Sequence, residues 1–175
     1  MAATQREFSV EPAIADVWDF VSDMGNWASQ MPGYVSHETI SVDDSAWTLN
    51  VDLGPFSRTI VVDVHVSEWR KPHEVIFEVK GRYEPFSGGG RYKAESAGSG
   101  TRIALDFHAE PGGSMAKIIS PLVGPVLESI ASEFSKNLAQ ALGGACATQT
   151  DVPKRQDGFF KRLWMRVQAW LRAGR

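Results

Sequence analysis

A long stretch of two-residue alternation, followed by a segment with helical spacing, leaves this chain few ways to fold. Trp47, Leu49, Val51 and Leu53 alternate with Thr48, Asn50 and Asp52. Ile60, Val62, Val64 and Val66 alternate with Val61, Asp63, His65 and Ser67. Val75, Phe77 and Val79 continue the pattern after a turn at Lys71-Pro72-His73, and Tyr92, Ala94 and Ser96 lead to a turn at Gly98-Ser99-Gly100. Ile103, Leu105 and Phe107 then alternate with Arg102, Ala104, Asp106 and His108. Such strands, joined by short turns, form antiparallel hairpins with one dry face and one wet face. The dry face needs a cover. Met115, Ile118, Ile119, Leu122, Val126, Ile130, Phe134, Leu138 and Leu142 recur at spacings of three and four, which predicts a helix from about Ser114 to Leu142. Pro121 and Pro125 fall in its first half and predict a kink or break between residues 120 and 126.

Upstream, residues 6–10 read as a strand with Phe8 and Val10 on one face. Pro12 opens a helical pattern through Ile14, Val17, Trp18 and Val21. A second short helix from Met24 to Gln30 is stopped by Met31-Pro32-Gly33. The expected class is therefore α+β, a curved antiparallel sheet wrapped around a long C-terminal helix. A chain of 175 residues suits one such domain, residues 1–144, with an extension. Residues 145–157 read as a flexible linker.

The extension differs in charge from the body. Residues 1–152 hold 11 Lys/Arg against 20 Asp/Glu, a net of −9, and residues 153–175 hold seven basic side chains against Asp157, a net of +6. On a helix spanning residues 158–175, Phe159, Phe160, Leu163, Trp164, Val167, Trp170 and Leu171 share one arc, and Lys161, Arg162, Arg166 and Arg172 lie opposite. Aromatic side chains facing basic ones are the pattern of a helix lying in a membrane interface. The segment is too short and too charged to span a bilayer. A partner protein or the chain's own domain would suit the same pattern. Nucleic acid does not, because the acidic body repels phosphates and the aromatics form a face instead of spaced stacking platforms.

Few motifs for chemistry are present. The single cysteine, Cys146, excludes an internal disulfide and cysteine-based metal sites within one chain. The N-terminus lacks the apolar core of a secretory signal, so a cytoplasmic body is expected. His37, His65, His73 and His108 have no metal spacing, and His65 and His108 fall on outward strand faces, with Asp63 a neighbour for His65. No nucleophile elbow occurs, and Ser87-Gly88-Gly89-Gly90 lacks the Lys-Ser/Thr of a phosphate loop. What remains is a container. A curved sheet on one helix leaves a wedge, which becomes an apolar pocket if side chains leave it unfilled. Its expected wall comes from Trp27 and Met31 before the sheet, and Trp47, Val51, Phe56, Val64, Phe77, Tyr83, Phe86 and Tyr92 within it. Ile118, Leu122 and Val126 of the helix close the wall. No catalytic residue is assigned.

Particular residues sharpen this. Phe8-Ser9-Val10 followed by Pro12, then Val17-Trp18 and Met31-Pro32-Gly33, resembles the opening of the CoxG-like family of carbon monoxide dehydrogenase proteins, within the START-like or SRPBCC superfamily. Gly54-Pro55-Phe56-Ser57 between strands and Gly112-Gly113 before the last helix are similar to that family too. The resemblance covers about residues 6–143. It implies a START-like helix-grip fold and a non-enzymatic, peripheral membrane protein at the inner face of the cell membrane. The implied ligand is a quinone, menaquinone or ubiquinone, bound without covalent attachment. The implied partner is a molybdenum hydroxylase of the carbon monoxide dehydrogenase type, docked at the membrane and relaying electrons to the quinone. Two other functions fit the superfamily: a START-like polyketide cyclase or dehydratase, and a coenzyme-Q or ribosome-associated binding module.

Overall fold

The computed structural model describes residues 1–52, 57–114 and 116–143. Its sheet has seven strands: β1 (Ala2–Val10), β2 (Tyr34–Thr39), β3 (Asp44–Asp52), β4 (Ser57–Arg70), β5 (Glu74–Gly81), β6 (Phe86–Ala97) and β7 (Gly100–Pro111). Their order is β1-β7-β6-β5-β4-β3-β2, and every neighbouring pair is antiparallel. Between β1 and β2 lie α1 (Ile14–Val21) and α2 (Met24–Ala28). The last helix, α3 (Ala116–Ala141), packs on β1 and β7. This is the expected α+β helix-grip.

Register shows why the alternation works. Val75, Tyr92, Leu105 and Arg6 form one inward row across β5, β6, β7 and β1. The next row holds Phe77, Gly90, Phe107 and Thr4, and the one beyond it Val79, Gly88, Ala109 and Ala2. A side chain at Gly90 is excluded, because its Cβ would lie 2.8 Å from the Phe77 ring and 2.2 Å from the Asp106 carbonyl oxygen. Glycine there lets the Phe77 and Phe107 rings meet across the strand, centroids 6.2 Å apart, edge to face.

Two expectations about helices change. The second short helix ends at Ala28, two residues early, with Asp23 accepting a bond from the Gly25 N–H at its start. The long helix runs unbroken through Pro121 and Pro125, where a kink or break was expected. Both prolines are exposed, so the carbonyls that lose their N–H partners can turn to water. Gly124 precedes Pro125 and lacks the Cβ that disfavours helix before proline. Leu142 is buried, and Gly143 with φ +75° ends the helix in the left-handed region. The linker 145–157 and the basic segment 158–175 lie outside the described residues.

Candidate functional site

The space between sheet and helix has two unlike ends. At one end the inward side chains interlock. Trp27 meets Phe77 at 5.5 Å, Tyr92 at 5.8 Å and Phe134 at 6.3 Å between ring centroids. Phe134 meets Phe107 edge to face at 5.9 Å. Trp27 is pinned by its indole N–H donating to the Val21 carbonyl at 2.6 Å, which fixes α2 against α1. A void of about 10 Å³ beside Trp27, Trp47, Val64, Trp69 and Phe77 is no larger than one water needs. Five residues expected in a pocket wall, Trp27, Trp47, Val64, Phe77 and Tyr92, are thus closely packed core.

At the other end the apolar stripe stays open. Val51, Ile60, Val79, Phe86 and Phe107 point inward by register yet are only half-buried. On α3, Leu122 and Val126 are half-buried, and Ile118 and Ile119 are 44% and 39% exposed. Gly124 sits seven residues before buried Ala131, two turns up the same stripe, where a Cβ would meet nothing within 4 Å among the described residues. The chain enters α3 at this end, with the Gly112 N–H bonded to the Pro85 carbonyl at 2.6 Å. The helix lies over β1 and β7, leaving its first turns unopposed by the β3–β5 side. The result is an apolar mouth bounded by α3, Phe86, Ile60 and Val51.

The expected wall residues divide accordingly. Val51, Phe86, Ile118, Leu122 and Val126 are at the mouth, and Met31 is half-buried against the core. Tyr83 corrects the expectation: it is 77% exposed in the β5–β6 turn, beyond the alternating strand whose parity would have aimed it inward. Phe56 lies outside the described residues, as do Phe159, Phe160, Lys161, Arg162, Leu163, Trp164, Arg166, Val167, Trp170, Leu171 and Arg172.

Sequence reading missed one polar feature. Glu128 on α3 accepts from the Thr4 hydroxyl and the Arg6 guanidinium of β1. The Thr4 bond, then Arg6, holds the carboxyl below its ordinary value, partly opposed by burial. Arg6 shares the parity of Phe8 and Val10, which was the available signal. This contact latches the helix to the sheet edge where the mouth begins. On the opposite, outward face, His65 Nδ1 bonds Asp44 at 2.8 Å, and Asp63 instead receives Arg82. Asp44 and His65 border a shallow recess of about 260 Å³ with Ile40, Asp63, Glu78 and Lys80. Hydrogen bonds from Ser41, then His65, hold the Asp44 carboxyl down.

The inward positions of β3, β5, β6 and β7 hold no Asp, Glu, Lys, Arg or His. Among the described residues no cluster of three metal-ligating side chains occurs, and no helix is long and apolar enough to cross a membrane.

The family model for the carbon monoxide dehydrogenase protein CoxG matches residues 7–143. The chain belongs to that family. Curated proteins yield no match. Among solved structures, a conserved protein from Geobacillus kaustophilus is similar with a TM-score of 0.70 and 18% identity, over 83% of this chain and 97% of that one. A START superfamily protein from Mycobacterium smegmatis gives a TM-score of 0.67 at 11% identity, over 82% of this chain and 98% of that one. The di-domain ARO/CYC StfQ from the steffimycin biosynthetic pathway gives 0.57 at 12% identity, over 81% of this chain and 50% of that one. At these identities the likeness establishes the START-like fold alone.

Proposed function

We propose that this CoxG-family protein is a non-enzymatic carrier of a lipophilic quinone. In this reading it recruits a molybdenum hydroxylase of the carbon monoxide dehydrogenase type to the inner face of the cell membrane and presents the quinone as electron acceptor. The observation that carries it is the apolar mouth, where Gly124 and the inward residues Ile60, Val79 and Phe86 leave a greasy surface unfilled. Exposed apolar surface of this kind marks a site for an apolar guest. The inner end is closed by aromatic rings, so the guest first occupies the mouth and goes deeper only as rings move. Cyclase chemistry requires an acid or base facing the substrate, and the inward positions of β3, β5, β6 and β7 supply no carboxylate or imidazole. The basic aromatic segment 158–175 would hold the carrier at the bilayer from which the ligand is taken. The test is organic extraction of the protein purified from its own cells, followed by mass spectrometry. A quinone in near-stoichiometric amount is expected; phospholipid alone, or nothing, would overturn the reading.

A further inference from the structure

Tyr92 is fully buried, yet its hydroxyl has no hydrogen-bond partner among the described residues. Leaving a buried O–H unmade costs about 1–3 kcal/mol. A phenylalanine would fill the same space without that penalty. Burial also pushes the phenol's pKa well above its ordinary value, so at neutral pH the group is a donor and not a phenolate.

Its position in the register matters. Tyr92 follows Gly90 by two residues on the same inward face of β6, about 7 Å along the strand. Phe77 and Phe107 meet over Gly90, so this ring pair separates the mouth from the space around Tyr92. Phe107 is half-buried and belongs to both sides. Towards the mouth, the next inward position of β6 is Gly88, whose Cβ would meet backbone atoms of β7 as its nearest neighbours and no ring.

We propose that the Tyr92 hydroxyl donates a hydrogen bond to a carbonyl oxygen of a flat apolar guest that advances from the mouth by displacing Phe107. This rests on the carrier reading and adds to it the group the ligand must bear, an acceptor oxygen on its ring. A hydrocarbon of the same outline leaves the phenol unpaired and gains nothing from it.

Menadione and 2-methylnaphthalene test this, because they share a ring system and a methyl group and only menadione has carbonyls. The full chain and its Tyr92→Phe variant are titrated with each by calorimetry. One hydrogen bond of about 1.4 kcal/mol predicts that Tyr92→Phe binds menadione about tenfold more weakly. Affinity for 2-methylnaphthalene should be unchanged. The variant should melt at or above the wild-type temperature, having lost an unpaired donor. Equal menadione affinity in the two proteins overturns the role of Tyr92 and leaves the carrier reading standing. Wild type that binds neither probe overturns the carrier reading and this inference with it. A wild-type preference for 2-methylnaphthalene overturns the inference alone, as does a variant that melts well below wild type, since the hydroxyl then has a structural partner.

Discussion

Truncating Phe134 to alanine probes the joint between helix and sheet. Phe134 is 2% exposed and lies between Phe107, edge to face at 5.9 Å, and Trp27, at 6.3 Å. Its buried neighbours on α3, Ala131 and Ala139, are too small to reach those rings. Removing a buried phenylalanine costs about 3–5 kcal/mol in transfer and cavity terms together. Trp27 is tied down by its bond to Val21 and cannot collapse into the hole, whereas half-buried Phe107 can turn partly into it. The lower end of the range, about 3 kcal/mol, is therefore expected. That is a large part of the roughly 5–15 kcal/mol that holds a domain together. Urea unfolding followed by tryptophan fluorescence reads it directly. With a slope of about 2 kcal/mol per molar, the midpoint should fall by about 1.5 M. A loss under about 1 kcal/mol would refute the argument that this end is sealed by rings meeting at Phe134.

Other substitutions test other parts. Glu128 has a depressed pKa, so its contribution is present above the ordinary glutamate value and is lost as pH falls through the folded-state value. Glu128→Gln should lower stability at pH 7 by about 0.5–1 kcal/mol, discounted because the pair is partly exposed, and should flatten the decline below about pH 4.3; identical urea midpoints for the two proteins at pH 7 and pH 3.5 would remove the latch. Tyr83→Ala should change stability by less than about 0.5 kcal/mol and leave ligand binding unchanged, since the ring is in solvent; a loss of menadione affinity would return Tyr83 to the wall. Deleting residues 153–175 should abolish sedimentation with anionic liposomes without altering the far-ultraviolet dichroism of the body; undiminished sedimentation would refute membrane docking through that segment.

The strands were legible wherever one face is dry. β4, β5 and β7 read directly from Val62, Val64, Phe77, Ile103 and Leu105, because an alternating side-chain period admits no other regular structure. β1 extends back to Ala2, beyond the expected residues 6–10, because Ala2 and Thr4 are too small and polar to signal a face and are placed by pairing with β7. β2 is an edge strand exposed at every position, so it has no burial pattern to read. Parity placed the inward faces correctly but could not say which inward residues would be sealed. Trp47 and Val51 share a face of β3; one is core and the other borders the mouth. Their difference arises from the stagger between strands, a long-range quantity that no local spacing encodes. The Arg6–Glu128 contact spans 122 positions and was hidden for the same reason.

The two ends of the fold divide the work between packing and binding. Large rings occupy the rows around Tyr92 and Phe107, and α3 brings Phe134 and Leu138 down onto them. Farther along the same strands the inward positions turn to Gly88, Ala109 and Gly81, and the helix stripe turns to Gly124 between two prolines. Small residues on both surfaces leave too little side chain to close the gap. The first turns of α3 are therefore held mainly through the latch at Glu128 and the Gly112–Pro85 bond. A segment with few buried contacts opens at lower free energy than the rest of the domain. Motion of these turns and of Phe107 would widen the mouth without disturbing the ring cluster at Trp27. The unpaired phenol of Tyr92 stands at the boundary between these regions, where a guest that moved Phe107 would meet it.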